Sequence, residues 1–326
     1  MVLVVGQNSA IQKTFSIDRL VPGAVNRIAA VHVSSGGKGA NTARALVQLR
    51  MPTLVLAYVG GLFGRKYIEM VEADGIRHEV VWIKKETRGC TTILERKQGT
   101  TELAEPAPAV SEAERVRFNR LFSAHIHRAQ LLIIAGTAVI GERQDCYQRY
   151  ILEAKQHGVA VLLDSYRRHG RLALEASPEI LKINRDELEE LARQEFGDFV
   201  SEEEGALSIM ASHAIRWIIV TKGAQGATGY GDGQIVSARP PPTEAVNSIG
   251  SGDAFCAGVT WGLMKDILAE GSVDESQWSL KNALSAGVAA GSANSLTVIP
   301  GHLEPEAFHE MLKSISLSAR PQTRSL

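Results

Sequence analysis

The sequence contains little of what marks secreted, zinc-binding or nucleic-acid-binding proteins. Among its 326 residues there are only three cysteines, Cys90, Cys146 and Cys256. Their odd number and wide spacing argue against a disulfide framework or a zinc site and favour reduced thiols in a cytoplasm. The formal net charge of -1 gives no reason to expect a nucleic acid or a membrane surface as a partner.

Long apolar runs are absent as well. No apolar stretch reaches the roughly 18 residues that a membrane-spanning helix needs. Residues 1–6 form an apolar, strand-like run without a basic leader, so we expect no signal peptide. Together these absences predict a cytoplasmic protein that does not associate with membranes.

Short apolar runs alternate with longer amphipathic segments, and this alternation predicts the fold class. The runs at 131–135 and 159–163 are continuously apolar, as expected for strands that are buried on both faces. Such strands between amphipathic helices predict an α/β fold with a mostly parallel sheet flanked by helices. The predicted strands are 2–5, 54–59, 131–135, 159–163, 180–183 and 216–220. The predicted helices are 39–50, 64–74, 143–157, 185–196, 202–213, 253–269, 276–293 and 304–315.

Residues 12–35 and 88–104 do not follow this alternation, because they look like strands without intervening helices. Residues 97–99, Lys-Gln-Gly, are predicted to form a hairpin turn. These strands form either a small separate sheet, a candidate lid, or extra edge strands of the main sheet. The polar tail from Ser318 to Leu326 is predicted to be loose.

The segment 247–255, Asn-Ser-Ile-Gly-Ser-Gly-Asp-Ala-Phe, is the most informative of the chain. It places two glycines and Asp253 at the start of a predicted helix. A helix start has unpaired backbone N–H groups and a partial positive charge, and glycines let a phosphate come close. Asp253 would lie beside that anion, where it can accept a proton from an attacking hydroxyl. The pattern fits phosphoryl transfer to an alcohol, although Asp is also an ordinary helix N-cap.

Three further segments lie where predicted strands end. Residues 35–41, Ser-Gly-Gly-Lys-Gly-Ala-Asn, would let a ligand lie against the backbone, and Asn41 offers donors and acceptors to sugar hydroxyls. Asn184 and Glu187 have the spacing of a capping box, or could arrange water and Mg²⁺ near a triphosphate. Residues 221–226 form a Gly-rich turn that suits nucleotide phosphates or a plain tight turn. Ligands of open α/β sheets bind at this edge.

Two of these segments, 36–41 and 247–255, make the chain similar to the PfkB, or ribokinase-like, family of sugar kinases. They are specific as a pair at this separation, and residues 184–187 match the family's Asn-x-x-Glu segment. The similarity extends from residue 2 to about residue 308. Within the family, residues 16–27 and 100–103 resemble the branch of 1-phosphofructokinases and tagatose-6-phosphate kinases.

The resemblance implies that residues 1–326 form a single ribokinase-like domain, a Rossmann-like fold with a β-lid that is often shared in a homodimer. It also implies ATP and Mg²⁺ as co-substrates and a sugar or sugar phosphate as acceptor. Asp253 would be the general base, and Gly250, Ser251 and Gly252 would form the anion hole. The sugar would be held by Gln12, Gly37, Lys38, Asn41 and Thr137, and a phosphate on it by Arg27 and Arg88. ATP would contact Lys182, Asn184, Thr221, Lys222, Gly223 and Gly226, with Glu187 reaching Mg²⁺ through water.

Three segments depart from the branch. Gln12 stands where the branch usually has an Asp that binds sugar hydroxyls, and it brings no charge. Residues 135–139, Ala-Gly-Thr-Ala-Val, replace Ser-Gly-Ser-x-Pro, and residues 182–184, Lys-Ile-Asn, replace Lys-Pro-Asn. The changes alter the sugar contacts and leave the catalytic segment intact.

From these motifs we predict ATP-dependent phosphorylation of a primary hydroxyl on a ketohexose phosphate, of the fructose 1-phosphate or tagatose 6-phosphate class. A kinase of an unphosphorylated sugar or nucleoside is the first alternative, and a non-catalytic sugar-phosphate sensor is the second. A dinucleotide oxidoreductase is disfavoured because the Gly-x-Gly-x-x-Gly spacing is missing.

Overall fold

A ten-stranded sheet organises the chain in this structure, a computed structural model that describes residues 1–96, 99–197, 201–265 and 275–322. The strands are β1 (Val2–Asn8), β2 (Ala10–Ile17), β3 (Ala30–Gly36), β4 (Thr53–Val59), β5 (Arg77–Trp82), β6 (Arg88–Glu95), β7 (Gly99–Ala104), β8 (Leu131–Ala135), β9 (Ala160–Asp164), β10 (Ile180–Asn184), β11 (Trp217–Thr221), β12 (Ala227–Gly231), β13 (Gln234–Arg239) and β14 (Ser316–Pro321). The helices are α1 (Lys38–Gln48), α2 (Gly61–Ala73), α3 (Glu112–Ile126), α4 (Cys146–Gln156), α5 (Arg168–Leu174), α6 (Arg185–Phe196), α7 (Glu202–His213), α8 (Ser251–Met264), α9 (Leu280–Ser295) and α10 (Pro305–Ser314).

The main sheet has the strand order β14-β13-β12-β11-β10-β9-β8-β1-β4-β5. From β11 to β5 all neighbours run parallel, and β12, β13 and β14 extend one edge in antiparallel pairs. Every residue of β8 and β9 is buried, because helices cover both faces of the sheet. Along β1, Val2 and Val4 join the core on one face, and Leu3 and Val5 join the core on the other. The predicted α/β class with a mostly parallel, helix-flanked sheet is confirmed.

A second sheet stands apart from the first, with the order β3-β2-β6-β7. The predicted strands in 12–35 and 88–104 therefore form a small sheet and are not edge strands of the main one. At its root, Ala10 pairs with both Gly36 and Arg88; at the far end, Ser16 pairs with Ala30 and Leu94. Residues 97 and 98 of the predicted hairpin turn lie outside the described residues.

Several elements were mispredicted where the apolar signal is weak. The predicted loose tail is wrong for residues 318–321, which belong to the edge strand β14 along β13. All residues of β14 are exposed, so its sequence has no alternation of apolar and polar residues that would predict a strand. Residues 323–326 lie outside the described part of the chain. The sequence reasoning also missed β5, β12, β13, α3 and α5. Helix α8 begins at Ser251, two residues earlier than predicted, and the predicted part at 266–269 is not among the described residues.

None of the helices in the described ranges is long and apolar enough to cross a membrane.

Candidate active site

The predicted site residues gather at the edge of the main sheet where the parallel strands end. Here β9 ends at Asp164, β10 at Asn184 and β11 at Thr221, and helices α1 and α8 begin beside them. These residues meet at one edge because parallel strands all end on the same side of a sheet, and the connection after each strand starts there.

The glycine turn before α8 has a shape that only glycine fits. Gly250 has φ +83 and ψ -7, in the left-handed region, and a Cβ there would lie 2.8 Å from Pro300 Cα. Gly250, the N-cap residue of α8, has no side chain that could cap the helix by a hydrogen bond to the first turn. Ser251 Oγ instead donates to Asn294 Oδ1 at 3.2 Å. The first amides of α8 lie at the sheet edge, where an anion hole would need them, although those of Ser251 and Asp253 already donate to the carbonyls of Ser248 and Gly250, at 3.2 and 3.0 Å.

Asp253 lies in the first turn of α8 and is only 6% exposed. Asn41 Nδ2 donates to Asp253 Oδ2 at 2.7 Å, so α1 and α8 meet at this carboxyl group. Burial raises the pKa of Asp253 to about 6. Lys38, the Asn41 hydrogen bond and Lys182 lower this pKa, and the nearby Asp164 raises it further. A carboxyl group with this pKa is poised to act as a base near neutral pH.

Asp164 is the main residue of the site that sequence reasoning missed. It ends β9, is 1% exposed, and lies between two ammonium groups. Lys38 Nζ is 3.1 Å from both carboxylate oxygens, and Lys182 Nζ is 3.1 Å from Oδ1. Burial alone would raise the pKa of Asp164, but Lys182 and Lys38 together lower it, so this carboxylate is ionised. The only signal in the sequence was an acid directly after the buried run 159–163.

Lys38 and Lys182 both place positive charge on Asp164, and Lys182 also lies beside the glycine turn. Burial opposes the charge on both side chains, yet Asp164 holds the pKa of each above the ordinary lysine value. Lys182 is 5% exposed, and a Cβ on Gly252 would lie 3.0 Å from its Nζ. Lys38 is the first residue of α1 and is 39% exposed, so its ammonium can also meet a ligand.

The small sheet contributes Gln12, which is 4% exposed on β2. Its Nε2 donates to Thr92 Oγ1 at 2.8 Å across the sheet. Because this bond uses the amide nitrogen, the side-chain oxygen is the group left to accept from a ligand hydroxyl. Gly37, with φ +88, starts α1 close to Asn8, and Asn8 Nδ2 lies 3.5 Å from Thr137 Oγ1. Gln12, Gly37 and Thr137 thus lie on the side of β1 and the small sheet.

Arg27 and Arg88 are not brought together within one chain. Arg88 pairs with Ala10 at the root of the small sheet, while Arg27 lies in the loop that enters β3 beyond Ser16. Six strand residues separate these ends, which corresponds to about 20 Å. The nitrogen Nη1 of Arg88 donates to the carbonyl of Glu105 at 2.9 Å, whereas its buried Nε has no partner among the described residues.

At the other side of the site, Asn184 and Glu187 form a capping box. The backbone N–H of Glu187 donates to Asn184 Oδ1 at 2.9 Å, and that of Asn184 donates to Glu187 Oε2 at 3.0 Å. The predicted capping box is therefore confirmed. The carboxylate of Glu187 nevertheless contributes to the raised pKa of Lys38, so it lies within electrostatic reach of the centre.

The turn from Thr221 to Gly226 lines a cationic cavity of about 360 Å³. Lys222 Nζ donates to Thr228 Oγ1 at 2.8 Å and is 2.7 Å from Glu202 Oε1. Gly223 and Gly226, with φ +56 and +86, shape this turn. The cavity also contains two arginines that sequence reasoning did not assign to the site, Arg185 and Arg239. Three cations around one cavity suit the phosphates of a nucleotide.

A model of the pfkB family of carbohydrate kinases matches residues 1–299. The chain belongs to the pfkB family of carbohydrate kinases. The family predicted from the sequence motifs is therefore confirmed, and the protein is a carbohydrate phosphotransferase. This membership removes the dinucleotide oxidoreductase from the alternatives.

The named relatives include a member of the predicted branch. The chain is 27% identical to a tagatose-6-phosphate kinase of Staphylococcus epidermidis, over 97% of this chain and 99% of that relative. The structure of Phosphofructokinase-2 from Escherichia coli in complex with substrates and products has a TM-score of 0.83 at 22% identity, covering 96% of this chain and 98% of that one. A possible 1-phosphofructokinase from Thermotoga maritima has a TM-score of 0.80 at 20% identity, covering 98% and 99%. The structural likeness shows the shared fold.

The acidic residues indicate how a pfkB kinase of this sequence could hold Mg²⁺. Among residues 1–96, 99–197, 201–265 and 275–322 there is no group of three or more His, Cys, Asp or Glu side chains suited to a metal ion. Mg²⁺ keeps most of its water and binds readily through one carboxylate plus substrate phosphates. Glu187 at the start of α6 fits that role, because its Oε1 is not used by the capping box.

For a pfkB kinase with this site, the pH profile should report the protonation of Asp253. Asp253 can accept a proton only when it is ionised, and burial raises its pKa to about 6. Activity should therefore fall as the pH drops below that value, to about a tenth at one pH unit below it. The measurement is kcat/KM for the sugar between pH 5 and 9.

A sugar phosphate also titrates near pH 6, so the profile needs a control. In Asn41→Ala the hydrogen bond that lowers the pKa of Asp253 is lost. The acidic limb should then move to higher pH, whereas a limb caused by the substrate phosphate would stay in place. An unmoved limb would contradict the assignment to Asp253.

Proposed function

We propose that the protein transfers the γ-phosphate of ATP to a primary hydroxyl of a ketohexose phosphate, of the tagatose 6-phosphate or fructose 1-phosphate class. The observation that carries this proposal is the arrangement of Asp253. It is buried at the start of α8, held by Asn41, and adjacent to an open glycine turn with Lys182 and Lys38 nearby. The similarity to a tagatose-6-phosphate kinase along the whole chain supports the acceptor class.

In this proposal Asp253 orients the acceptor hydroxyl and takes its proton. The backbone N–H groups of Gly250, Ser251 and Gly252 stabilise the charge on the phosphoryl group in transfer, and Lys38 and Lys182 add positive charge. Phosphoryl transfer needs little covalent help from a protein, so alignment and charge stabilisation account for most of the catalysis.

The nucleotide is proposed to lie along the carboxyl ends of β10 and β11. Arg185, Lys222 and Arg239 line the cavity there, and their charges match the nucleotide phosphates. When bound, Mg²⁺ would neutralise part of the phosphate charge. Glu187 would hold one of its waters and Asn184 would stay in the capping box.

The sugar is proposed to lie between β1 and the small sheet. Asn41 and the backbone at Gly37 would contact its hydroxyls, Gln12 would accept one hydrogen bond, and Thr137 would sit at the far side. An Asp at position 12 could accept from two hydroxyls at once, whereas a Gln with its nitrogen engaged by Thr92 accepts with one oxygen. The difference would tune which ketose is preferred.

Arg88 decides between a phosphorylated and an unphosphorylated acceptor. Its Nε is buried without a partner among the described residues, which suits a substrate phosphate. Its Nη1, however, already donates to Glu105, which favours the alternative of an unphosphorylated sugar or nucleoside. One charge-assisted hydrogen bond is worth about 1.5–3 kcal/mol, so Arg88→Ala should raise KM for a phosphorylated ketose about tenfold or more.

The test is ADP release by wild type and Arg88→Ala with fructose 1-phosphate, fructose 6-phosphate, tagatose 6-phosphate, fructose, ribose and adenosine. Arg96→Ala is a matched control, because Arg96 is also on the small-sheet side but is 77% exposed. The proposal expects a KM increase for Arg88→Ala alone and only with a sugar phosphate. Turnover confined to an unphosphorylated compound would replace the proposal by the alternative.

We also propose that two copies form a homodimer through the small sheet. Val31, Val33 and Leu103 are 53%, 45% and 58% exposed. They lie on one face of the small sheet, because Val33 pairs with Lys13, Lys13 with Thr91 and Thr91 with Leu103, and directly paired residues share a face. Gln12 lies on the opposite face. A second copy on the apolar face would cover it and could bring Arg27 of the partner subunit toward the acceptor phosphate.

The dimer predicts an effect of charge on this face. Val31→Glu combined with Val33→Glu should give particles with the mass of one chain, 35.2 kDa, because two carboxylates would be buried without partners. The measurement is light scattering after gel filtration. Leu152→Glu is the control, since Leu152 is 47% exposed on α4. A double variant that still has the mass of two chains would contradict the proposed interface.

A further inference from the structure

Arg44 joins three separate parts of the chain behind the site. It lies on α1 and is 2% exposed. Its Nη2 donates to the carbonyl and the hydroxyl of Ser35, at 2.8 and 2.6 Å. Its Nε donates to Asp74 Oδ2 at 2.9 Å, and its Nη1 donates to the carbonyl of Pro300 at 2.5 Å. Ser35 belongs to the root of the small sheet, and Pro300 to the loop that packs on the glycine turn.

The same guanidinium fixes the orientation of the Asn41 amide. Arg44 Nη1 donates to Asn41 Oδ1 at 3.3 Å. An arginine has donors only, so it requires the amide oxygen on its side. The amide nitrogen of Asn41 then faces Asp253, to which it donates at 2.7 Å. A flipped amide would place an N–H₂ group against the guanidinium and an oxygen against the carboxylate, and both contacts would be unfavourable.

The loop at Pro300 completes the connection to the anion hole. Gly250 packs directly on Pro300, because a Cβ on Gly250 would lie 2.8 Å from Pro300 Cα. Gly301, with φ +72, packs on the backbone of Asn41, and a Cβ there would lie 2.5 Å from Asn41 Cα. The Gly250 turn, the 300–301 loop and Asn41 therefore form one stack, and Arg44 donates hydrogen bonds to two of its three members.

We propose that Arg44 is a positioning residue that couples the root of the small sheet, through Asn41 and Pro300, to the placement of Asp253 and the Gly250 turn. This inference rests on the proposed function. When a substrate draws the small sheet toward the site, β3 moves at Ser35. Because Arg44 is hydrogen-bonded to Ser35, Asn41 and Pro300, it moves as well, and the positions of Asp253 and the Gly250 turn change together. Arg44 itself touches neither the sugar nor ATP.

Several charged groups surround the two ends of this connection. Lys38 on α1, Asp164 on β9 and Lys182 on β10 act on Asp253 in addition to Asn41. Asp74, at the end of α2, is 34% exposed and balances the charge of Arg44. Arg44→Lys leaves Lys38, Asp164 and Lys182 in place and keeps a positive charge near Asp74. An effect of this variant on Asp253 is therefore expected to act through Asn41 and the loop at Pro300.

The test compares Arg44→Lys, Asn41→Ala and the double variant. Lysine keeps the charge but loses the planar fork that reaches Ser35, Asn41 and Pro300 at once. A misplacement of about 1 Å can cost 10²-fold in rate, so we expect kcat to fall roughly 10- to 100-fold with KM for ATP nearly unchanged. The acidic limb of the pH profile should move up, as in Asn41→Ala. In the Asn41→Ala background the second substitution should not move the limb further.

A direct titration separates this inference from the proposed function. The Asp253 carboxyl carbon can be followed by ¹³C NMR without any substrate, with its signal assigned from Asp253→Asn. An Arg44→Lys titration that moves to higher pH supports the coupling even if no sugar in the panel is phosphorylated. The opposite result is also possible: the protein phosphorylates a sugar phosphate, but in Arg44→Lys both the Asp253 titration and the acidic limb of the pH profile match wild type. That result would overturn the coupling through Arg44 and leave the proposed function intact.

A further variant covers the case that Arg44→Lys does not fold. Ser35→Ala removes the hydroxyl that accepts from Arg44 Nη2 and donates to Asp74 Oδ2 at 3.5 Å. It keeps the bonds of Arg44 to the Ser35 carbonyl, Asn41 and Pro300. It should lower kcat by about two- to tenfold while the protein stays folded with only a small decrease in melting temperature, since only the hydrogen bonds of one hydroxyl are lost. An unchanged kcat and an unchanged Asp253 titration in Ser35→Ala would show that the root of the sheet is not coupled to the base.

Discussion

Replacing Asp253 by Asn is expected to lower kcat by about 10²–10⁴, the usual contribution of a general base. The amide fits the same space and can still meet Asn41, but it cannot take the proton of the acceptor hydroxyl. Binding of ATP should change little, because the cations around the proposed nucleotide cavity lie at the start of α6, in the turn after β11 and at the end of β13. Steady-state kinetics and ATP titration by calorimetry measure the two effects separately.

Stability provides the control for Asp253→Asn. The folded protein raises the pKa of Asp253 above its ordinary value, chiefly through burial, so ionisation of this group costs stability at neutral pH. Its replacement should therefore leave the melting temperature unchanged or higher at pH 7.5. A variant with near-full activity would refute the role of Asp253, and a variant that is inactive because it is unfolded would be recognised by its melting curve.

Among the variants considered, Asp164→Ala is expected to lose the most stability, about 3–5 kcal/mol in the free energy of unfolding. The loss arises because the ammonium of Lys182, 6% exposed at its side chain, would remain buried without its counter-ion. Lys38 would lose its partner too, but it is 39% exposed and can turn to water. Equilibrium unfolding in urea measures the difference from wild type.

A double variant tests the cause of that loss. Asp164→Asn with Lys182→Met removes the buried acid and the buried base together, and such paired replacements are often close to neutral. We expect it to recover most of the stability lost in Asp164→Ala. If Asp164→Ala costs less than about 1 kcal/mol, the value of an exposed ion pair, the account of Asp164 as the counter-ion of two lysines is wrong.

The parts of the site that could be predicted from the sequence are contiguous in it. Gly250 and Asp253 stand three residues apart, so the chemistry of a helix start and an acid was visible before any fold was known. The capping box of Asn184 and Glu187 was equally visible, because it is formed by neighbouring residues. The strands of the main sheet were predictable where burial on both faces coincides with a continuous apolar run, as in β8 and β9. The strand β12 is just as buried but has the sequence Ala-Thr-Gly-Tyr-Gly, so it was missed.

The missed parts depend on residues that meet only in the folded chain. Asp164 looked like any acid after a strand, and its role depends on Lys38, 126 positions away. Arg44 sits within the predicted helix 39–50, but its contact with Pro300 spans 256 positions. The separation of Arg27 and Arg88 required the register of β2, which no periodicity reveals. The exposed strand β14 lacked any apolar pattern.

The most direct test of the proposed function is ³¹P NMR of ATP, Mg²⁺ and tagatose 6-phosphate or fructose 1-phosphate with the enzyme at pH 7.5. The account predicts that the γ-phosphate signal of ATP decreases while a new phosphomonoester signal appears in equal amount, and that Asp253→Asn slows this transfer about 10²-fold or more. ATP that stays intact with both sugar phosphates, or that releases only inorganic phosphate, would contradict it.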